Sequence, residues 1–258
     1  MIFDHKGFLL DLDGTIYRGN TVIPEARAFV QRLEAAGKKY MFLTNNSSKT
    51  TEEVVEKLQL MGVPAHPKTV YTSAMAMGDY VDSKQIKRAY VIGEKGLKTA
   101  IYHAGVEESD TDVEAVIVGI DRTFTFEKLE TAAFAIQKGA VLLATNGDRV
   151  IPTERGMSPG NGSILAAIEV AGGKRAIVVG KPESWIVDQA IQRLGTSYDE
   201  TLLVGDNYDT DILTGIRAKI DTLHVDTGVT RKTDAMNKND PPTFAVPSLE
   251  ECTISTKL

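Results

Sequence analysis

The sequence is short of cysteine, of long hydrophobic runs and of net positive charge. It has one cysteine in 258 residues, so neither an internal disulfide bond nor a cysteine-based zinc site can form. Its apolar runs are shorter than the roughly 20 residues that a membrane-spanning helix needs. The 35 acidic residues outnumber the 29 basic ones, and the formal net charge of −6 disfavours general binding to nucleic-acid backbones.

The composition is that of an ordinary globular chain, with 42% hydrophobic and 25% charged residues. The N-terminus does not look like a secretory signal, because Asp4 stands where a basic region belongs and the next apolar stretch is short. The lone Cys252 suits a reducing compartment. We therefore expect a cytoplasmic protein with no membrane partner and no nucleic-acid partner. The sequence leaves the oligomeric state open, a homodimer included.

Short apolar runs alternate with longer segments of helical periodicity, which is typical of an α/β protein with a parallel sheet. The runs are apolar throughout, without strict alternation, as expected of strands covered on both faces. The predicted strands are Gly7–Leu10, Tyr40–Leu43, Ala176–Val179, Thr201–Val204 and Thr222–Val225. The predicted helices between them are Pro24–Ala36, Thr51–Met61 and Ser184–Leu194.

The middle of the chain carries strand and helix signals of its own. Its predicted strands are Ala89–Ile92, Ala115–Ile120 and Ala140–Thr145, and its predicted helices are Gly96–Ala104 and Phe126–Lys138. We therefore predict a separate α/β domain at residues 83–175, inserted into a core made of residues 1–82 and 176–258. The residues from Lys232 onward contain several prolines and predict an irregular tail packed on the surface.

Polar residues directly follow four of the predicted strands. In an open parallel sheet the carboxyl ends of the strands lie along one edge, where α/β proteins bind ligands. Loops are polar in every protein, which explains any one of these residues but not their combination of carboxylates, lysine and small donors. The residues so placed are Asp11 and Asp13, Thr44 and Asn45, Lys181, and Asp206.

These residue types indicate a particular chemistry. Asp11 and Asp13 stand at i and i+2 of an extended segment and point the same way, so their repulsion calls for a cation. With Asp206 they suit a hard, oxygen-preferring ion such as Mg²⁺. Lys181 can hold an anion, and Thr44 with the amides after it offers donors for phosphoryl oxygens. A carboxylate nucleophile, a second carboxyl group as acid and base, a divalent ion and a lysine indicate phosphoryl transfer through an aspartyl phosphate.

Four segments, in this order, resemble the motifs of the haloacid dehalogenase (HAD) superfamily. The first alone is moderately specific, and all four in order are highly specific. The long interval between the second and the third places the insertion there, as in the C2-capped branch. The four are Asp11-Leu12-Asp13-Gly14-Thr15, Thr44-Asn45-Asn46, Lys181-Pro182 and the run from Gly205 to Asp211. Three further stretches, at residues 119–122, 144–148 and 159–163, are similar to NagD-like, p-nitrophenylphosphatase-like members.

The resemblance implies a Rossmann-like, doubly wound parallel-sheet core with an inserted C2-type α/β cap domain, and Mg²⁺ as the cofactor. Asp11 would be the nucleophile and a metal ligand. Asp13 would protonate the leaving group, activate water and bind the metal through its backbone carbonyl. Asp206 would be the third metal ligand. Asp211 would contact the metal ligands rather than the metal.

The resemblance also implies the groups that bind the substrate. Thr44 and Asn45 would bind the phosphoryl group, and Lys181 would bridge it to the nucleophile. In the cap, Asn146 and Asp148 are candidates for contact with the leaving group. The alternative is that they are simply turn residues, because Asn and Asp form turns for conformational reasons.

An aspartate at position 13 bears on the activity. In the family, haloalkanoic dehalogenases lack this acid and transport ATPases carry threonine there, so Asp13 favours prompt hydrolysis. We therefore expect a phosphatase for small phosphomonoesters such as sugar phosphates and nucleoside monophosphates, which also hydrolyses p-nitrophenyl phosphate. One alternative is a phosphotransferase or mutase that uses the same intermediate. Another is a sensor that binds a phosphorylated metabolite without turning it over.

Overall fold

The computed structural model describes residues 1–153 and 155–255, which fall into two compact units. The first unit comprises Met1–Thr44, Glu52–Tyr71 and the chain from Lys181 onward, and the second comprises Asn45–Thr51 and Thr72–Gly180. Each unit contains a sheet of its own with parallel strands and accompanying helices, so the predicted α/β class is confirmed.

The first unit is built on a six-stranded sheet, here called the core sheet. In spatial order its strands are Phe244–Val246, Asp221–Val225, Thr201–Gly205, Gly7–Leu10, Lys39–Thr44 and Val70–Thr72. The pairings among the first five are parallel. Gly7–Leu10 is the first strand of this sheet along the chain and lies in its middle. The next two strands in sequence, Lys39–Thr44 and Val70–Thr72, lie on one side of it, and the last three lie on the other. The direction of winding therefore reverses between Gly7–Leu10 and Thr201–Gly205, which is the switch point where such sheets bind ligands.

Helices cover the core sheet with apolar faces that the sequence pattern predicts. The first of them, Pro24–Ala35, has proline in its first turn and buries Ala26, Phe29, Val30 and Leu33 at helical spacing. The other α-helices of this unit are Thr51–Leu60, Trp185–Leu194, Leu213–Ala218 and Lys232–Met236. Shorter turns are the π-helical Tyr208–Ile212 and the 3₁₀ segments Pro67–Thr69 and Leu249–Glu251. A small antiparallel hairpin joins Tyr17–Arg18 to Thr21–Val22.

The second unit has a five-stranded parallel sheet. Its strands in spatial order are Ile177–Val178, Val141–Ala144, Ala115–Val118, Arg88–Ile92 and Glu107–Glu108. Its helices are Ser73–Ser83, Lys95–His103, Phe126–Gln137 and Asn161–Gly172, and an antiparallel hairpin pairs Val150–Thr153 with Gly156–Pro159. Within residues 1–153 and 155–255, none of the helices combines the length and the apolar character that crossing a membrane requires.

The second unit is wider than the predicted insertion at residues 83–175. Helix Ser73–Ser83 belongs to it because that helix packs against Lys95–His103. The segment Asn45–Thr51 belongs to it as well, since the carbonyls of Ser47 and Ser48 accept hydrogen bonds from the amides of Leu97 and Gly96. Such contacts between distant segments leave no mark in the local composition.

Two expectations from the sequence are wrong. The predicted strand Ala176–Val179 forms as Ile177–Val178, but it pairs with Val141–Ala144 in the second unit, so Lys181 does not follow a strand of the core sheet. Residues 232–255 are not an irregular tail. They form a helix, the edge strand Phe244–Val246 of the core sheet, and Thr253–Ile254, which pairs with Ile2–Phe3. The prolines stand between these elements rather than inside them, where each would cost a ladder hydrogen bond.

One close approach in the first unit generates a test of the packing. Gly215 lies in helix Leu213–Ala218, where a Cβ atom would lie 2.2 Å from Cγ2 of the buried Thr222. We expect Gly215→Ala to lower the thermal unfolding midpoint, because overpacking of about 1–3 kcal/mol outweighs the gain of about 1 kcal/mol in helix propensity.

The rescue variant is Gly215→Ala with Thr222→Ser, which removes the clashing methyl group and keeps the hydroxyl that accepts from the Thr243 amide at 3.0 Å. Relative to Thr222→Ser alone, the alanine should then be neutral or stabilising. Equal destabilisation in both backgrounds would contradict this account.

Candidate active site

Asp11 stands at the carboxyl end of the central strand Gly7–Leu10. Its amide continues the parallel ladder by donating to the carbonyl of Val204 at 2.9 Å. The chain then turns, and the carbonyl of Leu12 accepts from the amides of Ile16 and Tyr17 at 2.8 and 3.1 Å. The sheet fixes the Asp11 backbone from one side and the turn from the other, and the residue is 7% exposed.

Lys181, the first residue of the last segment of the first unit, reaches the same place. Its Nζ donates to Oδ1 of Asp11 at 2.5 Å, to Oδ1 of Asp211 at 2.6 Å and to the carbonyl of Leu43 at 3.1 Å. The residue is only 2% exposed.

Asp206 follows the neighbouring strand, Thr201–Gly205. Its Oδ1 accepts from the hydroxyl of Thr15 at 3.2 Å, and its Oδ2 accepts from the amide of Val229 at 2.7 Å. A Cβ atom at Gly228 would lie 1.8 Å from the same Oδ2, so only glycine lets the backbone come this close. The carboxylate is therefore held in one orientation by donors from two loops.

Asp211 sits in the π-helical turn Tyr208–Ile212, a rare geometry that is frequent at functional sites. Its Oδ2 accepts from the amide of Asn207 at 3.1 Å, while its Oδ1 is held by Lys181. Both oxygens of this buried carboxylate thus have donors within the protein.

Asp11, Asp206 and Asp211 form a buried cluster, here called the acidic cluster. One oxygen from each lies within 4.8 Å of the others. Burial, followed by repulsion from Asp211, raises the pKa of Asp11 well above its usual range and the pKa of Asp206 to about 6. Three carboxylates against one lysine leave excess negative charge, and oxygen ligands of this kind fit a hard divalent cation such as Mg²⁺.

Lys181 stays charged in this environment. Burial works to lower the pKa of Lys181, but the attraction of Asp11 and Asp211 outweighs burial and raises it above its usual value. The lysine therefore offsets part of the charge that makes the acidic cluster costly to bury.

Two further predicted site residues lie in the first unit. Asp13 has an exposed side chain, and its Oδ2 accepts a hydrogen bond from the hydroxyl of Tyr17 at 3.2 Å. Thr44 is buried at the carboxyl end of strand Lys39–Thr44, next to the central strand. The carboxyl ends of neighbouring strands of one sheet therefore supply Asp11, Asp206 and Thr44.

The predicted binding residues Asn45, Asn146 and Asp148 come together in the second unit. Nδ2 of Asn45 donates to the carboxylate of Asp148 at 3.1 and 3.3 Å, and Nδ2 of Asn146 donates to the carbonyl of Asn45 at 2.8 Å. Oδ1 of Asn146 accepts from the amide of Asp148 at 3.1 Å. The buried Asn161 donates to the carbonyl of Asn146 at 2.7 Å. Asn146 thus ties two separate loops to each other.

Sequence reasoning assigned no role to several residues that hold the acidic cluster. Thr15 belongs to the first HAD-like motif, but its hydrogen bond to Asp206 joins residues far apart in the sequence and could not be predicted from it. The loop that carries Val229 follows strand Asp221–Val225. The expectation that ligand-binding residues follow the strands of the sheet could therefore have indicated this loop. The buried His224 lies between two backbone carbonyls, those of Asp206 and Thr230, at 3.2 and 3.1 Å. Burial lowers the pKa of His224, so a neutral ring with its proton on Nε2 fits both contacts.

Comparison with known proteins agrees with this architecture. Residues 8–107 match the family profile of haloacid dehalogenase-like hydrolases, and residues 178–252 match a second HAD-hydrolase-like profile. The 5'-nucleotidase YutF of Bacillus subtilis (strain 168) is 46% identical over 248 residues, which cover 96% of this chain and 97% of that protein. An acid sugar phosphatase of Staphylococcus aureus (strain N315) is 43% identical over 249 residues, with 96% of both chains covered.

Among solved structures, NagD from E. coli K-12 superposes with a TM-score of 0.91 at 33% identity, covering 96% of this chain and 98% of NagD. The match extends over both units and includes the segments that carry the acidic cluster. The chain therefore belongs to the haloacid dehalogenase-like hydrolases and, within them, to the NagD-like phosphatases.

The raised pKa of Asp206 predicts how stability depends on pH. The folded state raises this pKa from an ordinary value of 3.8 to about 6, so protonation favours folding of the metal-free protein. The stability contributed by the protonated group is present below pH 4 and is lost as the pH rises through about 6. Asp206→Asn removes the buried charge, and the side-chain carbonyl oxygen of the asparagine can still accept from the amide of Val229.

Thermal unfolding with excess chelator checks this prediction. At pH 7.5 the midpoint of Asp206→Asn should exceed that of the unmodified protein, and at pH 4 the difference should largely vanish. A variant that is less stable than the parent at pH 7.5 would show that the Asp206 charge stabilises the metal-free fold.

Proposed function

We propose that this phosphatase hydrolyses small phosphomonoesters by passing the phosphoryl group through Asp11, with Mg²⁺ as cofactor. The observation that carries the proposal is the placement of the Asp11 carboxylate. It lies at the switch point of the core sheet, paired with a buried lysine and beside Asp206 and Asp211. A buried, oriented carboxylate of this kind is a nucleophile suited to phosphoryl transfer.

Mg²⁺ would be held by the side chains of Asp11 and Asp206 and by the backbone carbonyl of Asp13. The excess negative charge and the all-oxygen donor set support this assignment. Asp211 supports the metal ligands without binding the metal itself, because both of its oxygens already accept hydrogen bonds, from Lys181 and from the amide of Asn207. When bound, the ion offsets the negative charge of the phosphoryl group that approaches Asp11.

The residues of the chain divide the proton and group transfers. Lys181 holds Oδ1 of Asp11, which leaves Oδ2 as the oxygen that attacks phosphorus. Asp13 gives its proton to the departing oxygen and afterwards takes one from the water that hydrolyses the aspartyl phosphate. Thr44, Asn45 and Lys181 bind the phosphoryl oxygens, with the lysine charge opposing theirs.

Small metabolites are the proposed substrates. The relatives named above are a 5'-nucleotidase and an acid sugar phosphatase, which favours nucleoside monophosphates and sugar phosphates for this chain. We assign the cytoplasm as the compartment, since Cys252 is a free and buried thiol. A homodimer remains a prediction to be tested by the molecular mass in solution.

Asp11→Asn tests the nucleophile. We expect the release of phosphate from p-nitrophenyl phosphate to fall by about 10³-fold or more, because an amide oxygen cannot form the acyl phosphate. Removal of Mg²⁺ by a chelator should abolish the activity of the unmodified protein, and added Mg²⁺ should restore it. Asp188→Asn, which removes a carboxylate outside the site, serves as the matched control and should retain activity. Turnover by Asp11→Asn or by the chelated enzyme would contradict the mechanism, and no turnover by the parent protein would favour the sensor.

Asp148→Ala and Asn146→Ala test the binding role proposed for the second unit. We expect KM to rise by about 10-fold, a loss of about 1.4 kcal/mol in binding, while kcat changes less. If these residues contact the leaving group, the rise differs between a nucleoside monophosphate and a sugar phosphate. An equal rise in KM for every substrate would instead indicate that Asn146 and Asp148 act by holding Asn45, which both residues contact. Asp110→Ala, an exposed carboxylate of the same unit, should leave KM unchanged.

A further inference from the structure

The hydroxyl of Tyr17 contacts the proposed acid and base of the reaction. It donates to Oδ2 of Asp13 at 3.2 Å. The two partners differ in environment, since the side chain of Asp13 is exposed and Tyr17 is only 5% exposed. An exposed carboxylate on its own samples several rotamers. A donor anchored in the core reduces that freedom, and so Tyr17 can hold Asp13 in one orientation.

The turn after Asp11 explains why these side chains meet. The amide of Tyr17 donates to the carbonyl of Leu12 at 3.1 Å, and the amide of Gly14 donates back to the carbonyl of Tyr17 at 2.8 Å. These two bonds close the chain into a loop, and a bridge pairs Asp13 with Tyr17 directly. The position of the ring is therefore set by the backbone as well as by its burial.

Lys57 holds the face of the same ring. Its Nζ lies 3.7 Å from the centroid of Tyr17, within the range of a cation–π interaction. The lysine projects from helix Thr51–Leu60, whose residues Val54, Val55 and Leu58 are buried in the core. A cation over the ring draws electron density from the phenol, which makes its hydroxyl a stronger donor.

We propose that Tyr17 is a positioning residue for the phosphatase reaction: it holds Oδ2 of Asp13, so that the transferable proton sits on Oδ1 and is directed at the leaving oxygen. The proposal rests on the function proposed above, in which Asp13 is the acid and base. A neutral carboxyl group has one carbonyl oxygen and one hydroxyl oxygen, and the carbonyl oxygen is the better acceptor. The Tyr17 hydrogen bond therefore favours Oδ2 as the carbonyl oxygen.

The bonds balance in both halves of the reaction. First, an oxygen of Asp11 bonds to phosphorus, the bond to the ester oxygen breaks with its electron pair, and that oxygen takes the proton from Oδ1 of Asp13. Then water gives a proton to Asp13, its oxygen bonds to phosphorus, and the bond to Asp11 breaks. Tyr17 remains a donor throughout, because burial and the carboxylates of Asp13 and Asp11 raise the pKa of its hydroxyl above the usual value.

Tyr17→Phe tests the proposal by means of the leaving group. p-Nitrophenolate departs without being protonated, whereas the alkoxide of an alkyl or sugar phosphate needs the acid. General acid catalysis contributes about 10²–10⁴-fold, and misorientation of the acid should remove part of this. We expect kcat/KM to fall about 10-fold for an alkyl phosphate and less than about 2-fold for p-nitrophenyl phosphate. This parameter reports the first half of the reaction, so the later role of Asp13 as a base does not affect it.

Three variants make the outcome decisive. Asp13→Asn should show the same selectivity with a larger loss, and if it does not, the proposed role of Asp13 fails independently of Tyr17. Lys57→Met should shift the ratio of the two substrates in the same direction by a smaller factor. Tyr40→Phe removes another buried hydroxyl, one that donates to Glu34 at 2.8 Å, and should leave the ratio unchanged.

An equal loss for both substrates in Tyr17→Phe, with Asp13→Asn selective, would overturn the positioning role and leave Tyr17 a structural residue. The phenyl ring keeps the packing, so the unfolding midpoint of Tyr17→Phe should stay near that of the parent. If the midpoint falls, the ratio measured for Lys57→Met decides, since that variant leaves the tyrosine in place. An unchanged ratio there would then count against the proposal.

Discussion

The ammonium group of Lys181, buried between the carboxylates of Asp11 and Asp211, is the interaction on which the rest of the site depends. Three carboxylates close together inside a protein repel one another and lose hydration, and removing one partner of such a group costs several kcal/mol. The lysine offsets one charge and ties the central strand to the π-helical turn. Because it offsets only one, the acidic cluster keeps an excess of negative charge while remaining compatible with the folded state. This excess of negative charge is what supports the proposed metal site.

Much of the site could be predicted from the sequence because its determinants are local. An apolar run followed at once by an acidic residue predicts a strand whose end carries a ligand, and both Asp11 and Asp206 obey that rule in the core sheet. The pattern does not indicate which sheet a strand joins. Ile177–Val178 has the same apolar character and pairs in the second unit instead, so Lys181 arrives at the acidic cluster by a route that periodicity could not show.

What the sequence could not reveal are contacts between segments far apart in the chain. Val229 donates its backbone amide to Asp206, and a backbone donor leaves no trace in the residue type. The same holds for the Asn45 carbonyl, which accepts from Asn146 across a long stretch of chain. The residue types in these two loops are compatible with a turn, but they do not predict which backbone group makes the contact. The orientation of each carboxylate is decided by donors that the fold brings there, and that information exists only after the chain has folded.

The turn from Asp11 to Tyr17 shows why a short motif can nevertheless be specific. Its backbone hydrogen bonds converge on the carbonyl of Leu12, and this convergence fixes where each side chain points. Thr15 is thereby directed to Asp206, and Tyr17 is directed to Asp13. The turn therefore carries the proposed nucleophile and the proposed acid, and it supplies a hydroxyl donor for each of two carboxylates. Inserting one residue would move these side chains out of register, so the spacing of the motif follows from the hydrogen bonds of the turn as well as from the chemistry of its aspartates.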